Sequence, residues 1–141
     1  MIDKNKIFQL FDDNGNEIRI ANVKQVNDFL SGPYAKIGMF TKLIQNHKVF
    51  HLKLEKFLKK EQPNYNVEST KEASEFTVYN RAFNYIKDIS LDDHNHVNAI
   101  INFDPKVFYE SLGDAIQYFE NGEEYEKCSH LFNIQEIVKR I

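Results

Sequence analysis

Apolar positions along this chain recur mostly at intervals of three and four, the period of a helix with one buried stripe. Asn22 and Gln25 form a capping-box pattern, and Val23, Val26 and Phe29/Leu30 follow on one stripe until Ser31-Gly32-Pro33 stops it. The next segment, about Tyr34 to Glu61, is the longest. At 100° per residue, Phe40, Leu43, Ile44, His47, Phe50, Leu54, Phe57 and Leu58 share an arc of roughly 140°. Lys42, Lys48, Lys53, Lys56, Lys59 and Lys60 lie on the other side. Val49 and Leu52 stand among those lysines, where a simple surface helix carries polar residues, and so point to a second contact.

Pro63, with Asn64 and Asn66, ends the long helix. Ser69 and Glu72 make another capping box, opening a helix to about Ile89 whose core face is Ala73, Phe76, Tyr79, Ala82/Phe83 and Ile86. Leu91 to Asn95 is a polar break. The short apolar run Val97 to Phe103 fits a helical turn or a strand equally well. Asp104-Pro105 starts a helix, with Asp as N-cap and Pro at the first helical position. Its inward residues are Phe108, Leu112, Ala115, Ile116 and Phe119. Asn121-Gly122 ends it, with Gly122 available for a left-handed cap. Glu123 and Glu124 open a final helix with Tyr125, Cys128, Leu131/Phe132, Ile134 and Val138 inward. The short loop makes the last two helices antiparallel neighbours.

Residues 6–20 break the helical pattern. Ile7 to Phe11 and Glu17 to Ile20 are β-favouring and flank Asp12-Asp13-Asn14-Gly15-Asn16, so the segment reads as a β-hairpin with an Asn-Gly turn. A calcium loop does not fit: with Gly15 at position 6, positions 1 and 12 fall on Leu10 and Ala21. The expected fold is therefore mainly α: a single-domain helical bundle over 1–141. It has a small N-terminal β-hairpin (6–20), helices over 22–61 including a long basic one, a helix and connection over 69–103, and an acidic αα-hairpin over 104–141.

The 141 residues suit one domain with a real core. Fifteen Lys against three Arg, with fifteen Asn, reflect AT-rich codon use rather than chemistry. The net charge of −3 divides into +3 over residues 1–70 and −6 over 71–141, so the chain is bipolar. An acidic total argues against generic coating of duplex DNA. One cysteine permits no internal disulfide. No apolar run approaches the ~20 residues a bilayer span needs, and no leader pattern opens the sequence. A cytoplasmic protein is expected, or one made in the cytoplasm and packaged into a virion.

Candidate chemistry is sparse. His47 and His51 have metal-ligand spacing, but Lys48 sits between them and the pattern supplies no third ligand. They read as a packed histidine and a rim histidine. Asp92-Asp93-His94-Asn95-His96 reads as a polar connection with a capping Asp rather than a metal site. Cys128, among Glu124 and Glu126 and on an apolar face, reads as a core thiol. Nucleophile-elbow, phosphate-loop and CxxC patterns are absent, so no catalytic residue, cofactor or metal is expected. Seven Lys and one Glu between residues 36 and 60 make the best nucleic-acid candidate, though without Arg or stacking aromatics on that face.

Tyr125-Glu126-Lys127-Cys128-Ser129-His130-Leu131 resembles the UVR motif, a helical hairpin of excision-repair proteins and protease adaptors. Tyr125 stands for its aromatic, Glu126 for its acid, and Cys128 and Ser129 for its small pair. Phe132 and Asn133 replace its Arg-Asp. The stretch from Ala115 to Cys128 is also similar to the C-terminal hairpin of small tailed-phage proteins. Both resemblances imply an interaction module.

The expected function is a non-enzymatic protein-binding accessory, adaptor or inhibitor, phage-encoded on the second resemblance. Its partner surface is expected at Val49, Leu52, Lys53, Lys56, Lys60, Glu120, Glu123 and Glu124. The protein partner is expected to be basic or nucleic-acid-associated on the acidic side, with self-association as a further form. The alternatives are a nucleic-acid-binding regulator using the Lys42–Lys60 face and a structural piece of a virion-type assembly. A membrane partner is not expected.

Overall fold

The computed structural model describes residues 16–141, with side chains from residue 23 onward. Among the described residues six helices follow one another: α1 Asn16–Ser31, α2 Pro33–Glu61, α3 Val67–Ile86, α4 His94–Asn102, α5 Pro105–Asn121 and α6 Tyr125–Lys139. Among the described residues there is no strand. Of the expected hairpin over 6–20, residues 6–15 lie outside the described residues, and residues 16–20 open α1 instead of forming a second strand. The turn read at Asp12-Asp13-Asn14-Gly15 lies outside the described residues as well.

Local chemistry sets most of the helix ends. Gly32 and Pro33 separate α1 from α2, with Pro33 in the first turn of α2, where its missing N–H costs nothing. A Cβ at Gly32 would meet the Phe29 carbonyl oxygen at 3.2 Å, so this tight joint favours glycine. Helix α3 starts two residues before the expected Ser69: Asn66 is the N-cap, and its side chain accepts from the Ser69 N–H at 3.4 Å. It ends at Ile86 rather than near Ile89. Asp93 accepts from the Asn95 N–H at 2.8 Å and caps α4, which makes the ambiguous run over 97–103 mostly helical. Asp104 caps α5 from Lys106 and Val107, with Pro105 first in the helix, as its sequence dictates. The turn into α6 corrects one expectation: Gly122 has φ −88°, and Glu123 takes the left-handed conformation at φ 58°.

One hydrophobic cluster joins α2 to α6. It is built on Ile37, Phe40 and Ile44 of α2, Tyr79, Ala82 and Ile86 of α3, Ile100 of α4, Phe108, Leu112 and Phe119 of α5, and Leu131, Ile134 and Val138 of α6. Edge-to-face rings fix its layers: Phe40 against Phe108 at 6.1 Å and Phe83 against Phe119 at 5.5 Å. His130 of α6 donates through Nε2 to the Ile86 carbonyl, 2.9 Å away, and so satisfies an orphan acceptor at the end of α3. Cys128 packs at the edge of this cluster, its thiol 3.5 Å from the Ile116 carbonyl.

The inward direction of α2 differs from the sequence expectation. Its buried residues beyond the first turn are Ile37, Phe40, Thr41, Ile44 and His51, an arc turned by roughly 80° from the expected one. Phe50 and Phe57, expected inside, are exposed, as is Phe76 of α3. Tyr125 and Phe132, expected on the inward face of α6, are exposed too. For α2 and α3 the cause is length. The cluster engages α2 up to Ile44 and α3 from Tyr79 onward, and the remaining turns of both helices extend past it. Among the described residues, no helix is long and apolar enough to cross a membrane.

Candidate functional site

The far halves of α2 and α3 form an arm that pairs two helices but carries little of the core. On it, Val49, Phe50, Leu52, Phe57 and Phe76 are 54–65% exposed. Fully burying one such side chain is worth about 1.5–3 kcal/mol, a gain this fold leaves unused. Val49, Lys53, Lys56 and Lys60 share the outer face of α2 by helical register, with Leu52 at its edge, and all are exposed. The two apolar residues picked out by sequence therefore sit in solvent beside three lysines. Phe50 lies on a second side of the arm, where it lines a groove between the helices with Leu43, Ala73 and Val78.

The acidic candidates lie elsewhere. Glu120, Glu123 and Glu124 are exposed at the turn between α5 and α6. Glu124 is held by Lys127 at 3.0 Å. Lys127 in turn lies over the Phe119 ring at 4.9 Å and donates to Asn80 at 3.1 Å, so this acid is already partly neutralised. No described ion pair joins these three glutamates to the lysines of the outer face. The eight expected residues thus fall into two surfaces, one apolar and basic on the arm and one acidic at the turn.

Sequence reasoning missed a third feature. Where the arm leaves the core, α2, α3 and the end of α5 enclose a notch of about 400 Å³. His47, His51 and Leu52 line it from α2, and Lys71, Glu75 and Tyr79 from α3. Tyr118, Gln117 and Asn121 close it from α5, with Asp114 at the rim bonded to Lys48. The rings are ordered: His47 stacks near His51 at 5.9 Å, and Tyr79 stacks on Tyr118 at 4.6 Å. His51 is the buried histidine and His47 the partly exposed one, the reverse of the expectation. The reason is register: His51 lies seven residues beyond Ile44, two turns down the same inward face.

Burial shapes the acid–base behaviour here. Desolvation holds the His47 imidazole below the usual histidine pKa, opposed by the nearby Glu75 carboxylate and helped by His51 and Lys71. Burial also pushes the Tyr79 hydroxyl far up, with Asp114 and Glu75 adding to it, so it remains a neutral donor. Outside the notch, burial raises the Cys128 thiol, and Glu120 adds to the shift.

His94 and His96 do not form a second site. His96 Nδ1 accepts from the Ser90 N–H at 2.8 Å while Asp93 is occupied as a cap, so this polar run closes its own loop. Among the described residues there is no group of three His, Cys, Asp or Glu placed to hold a metal. No protein family matches the sequence, and no curated protein or solved structure shows detectable similarity to it.

Proposed function

We propose that this chain is a non-enzymatic protein-binding accessory, adaptor or inhibitor, and that it docks its partner on the arm formed by α2 and α3. The observation that carries this reading is the exposure of Val49 and Leu52 on α2 beside the exposed lysines Lys53, Lys56 and Lys60. Apolar side chains grouped on one protruding element are a common mark of a protein interface. The lysines select a partner that presents acidic groups around an apolar contact, and they steer its approach. The acidic turn at Glu120, Glu123 and Glu124 offers a second, oppositely charged surface for a basic partner or a second region of the same one. On the resemblance read from Ala115 to Cys128, the proposal extends to a phage-encoded factor acting in its host's cytoplasm.

A quantitative pull-down from the native host tests this reading, comparing the wild-type chain with Val49→Asp/Leu52→Asp. Both sites are exposed, so the double variant keeps the fold. A stoichiometric partner retained by the wild type and lost by the variant supports the proposal. No partner, or one held equally by both, refutes it.

A second reading rests on Lys42, Lys53, Lys56 and Lys60, which take part in no ion pair among the described residues. A row of unneutralised ammonium groups can follow a phosphate backbone. Nucleic-acid binding that falls steeply with salt and disappears in Lys53→Glu/Lys56→Glu/Lys60→Glu would favour a regulator over an adaptor.

A further inference from the structure

We infer that the notch between α2, α3 and the end of α5 is a binding site for a small oxyanion-bearing ligand, a carboxylate or a phosphate. Its oxygens would be held by the His51 imidazole, the Tyr79 hydroxyl and the Lys71 ammonium.

Two buried polar groups carry the inference. His51 is 9% and Tyr79 7% exposed, and both line the notch. Among the described residues neither side chain has a hydrogen-bond partner; the Glu55 carboxylate comes only to 4.0 Å from His51 Nε2. A buried polar group without a partner is costly, and a space of about 400 Å³ beside both leaves room for one.

The chemistry of the lining sets the ligand class. Tyr79 is held neutral and offers an O–H, and an imidazole offers an N–H. Gln117 adds amide donors at the wall. A site rich in donors needs a ligand of acceptors. The local carboxylates do not fill that role. Asp114 accepts from Lys48 at 2.9 Å. Glu75 stands 3.8 Å from Lys71, beyond hydrogen-bond length, so that ammonium can turn to a ligand oxygen. Lys48 and Lys71 balance Asp114 and Glu75 in charge, so the unpartnered donors of His51 and Tyr79, rather than net charge, set the preference for a ligand with acceptor oxygens. Leu52 borders both the notch and the outer face of α2, but Val49, Lys53, Lys56 and Lys60 do not line the notch, and the inference does not depend on the protein-binding proposal.

The test is imidazole NMR on the full chain, following the His47 and His51 ring nitrogens at constant ionic strength. Sodium phosphate and sodium acetate are titrated separately, with sodium chloride as the reference. A saturable shift of the His51 resonances by phosphate or acetate is expected, and the tighter of the two identifies the headgroup. Tyr79→Phe keeps the stacked ring and removes only the hydroxyl; it should weaken binding about fivefold or more. Lys71→Met, at the rim, should do the same without touching the core, while Lys53→Met on the outer face should leave the affinity unchanged. Shifts that never saturate, or that chloride reproduces, overturn the inference. Saturation unaffected by both Tyr79→Phe and Lys71→Met overturns it as well. Saturation by zinc chloride alone, with no response to either anion, would make the histidines a metal site and reject the oxyanion.

Discussion

Lys48 on the basic helix α2 reaches Asp114 on the acidic helix α5, Nζ to Oδ2, at 2.9 Å. Among the described residues it is the one ion pair that joins two helices; the others lie within a turn of a single helix or beside its cap. The opposite charges of the two halves of the chain are therefore mostly turned outward rather than spent on each other. Both side chains are partly in solvent, where such a pair contributes about 0–1 kcal/mol. Lys48→Met should lower stability by less than about 1 kcal/mol. Urea titration of the two proteins checks this.

The turned face of α2 makes a paired prediction. Phe40 is fully buried against Phe108, and Phe57 is exposed on the arm. Phe40→Ala should cost about 3–5 kcal/mol, the usual loss for a buried ring. Phe57→Ala should stay within about 0.5 kcal/mol. Denaturant midpoints give both values, and equal losses would place Phe57 in the core.

His47 makes stability depend on pH in a defined direction. Its folded pKa lies below the ordinary 6.5 because burial penalises the charged ring. The unfolded chain then binds a proton at a higher pH than the folded one. The His47 contribution is complete above pH 6.5 and is lost as pH falls from there through the lower folded value. Wild-type stability should drop between pH 7.5 and 5.5, and His47→Gln should drop less over the same interval. Denaturation curves at the two pH values measure the difference.

Cys128 should react slowly. Its thiol is packed at the edge of the core and shifted up, first by burial and then by Glu120. Little thiolate exists at neutral pH. A colorimetric thiol reagent should label the folded protein far more slowly than the urea-unfolded chain. Comparable rates would place the thiol in an accessible, activated setting.

Much of the fold was legible because helix period and punctuation agree. Asp104-Pro105 set the start of α5, and Pro63 the end of α2 within two residues. The start of α3 was nearly legible, but Asn66 rather than Ser69 supplies the capping oxygen, and Ser69 supplies the amide. The inward direction of α2 was not legible. Phe50 and Phe57 pulled the apparent apolar arc toward themselves, and sequence cannot show that their turns outrun the core. The end of the first helix was legible at Ser31-Gly32-Pro33, but its start was placed at Asn22, six residues late, because the β-favouring run Glu17 to Ile20 after Asn14-Gly15 read as a strand. Val49 and Leu52 stood out because apolar residues among lysines break the helix pattern. The notch left no signal: Tyr79 reads as an ordinary core residue, and only packing brings it beside His51, Lys71 and Tyr118.

The arm is the centre of this account, and one measurement addresses it most directly. Hydrogen–deuterium exchange of the full chain, with and without the host partner recovered by pull-down, locates the interface. Protection is predicted at residues 46–61 of α2 and along the facing half of α3, together with loss of binding in Val49→Asp/Leu52→Asp. Protection confined to α5 and α6, with that double variant binding as the wild type does, would contradict it.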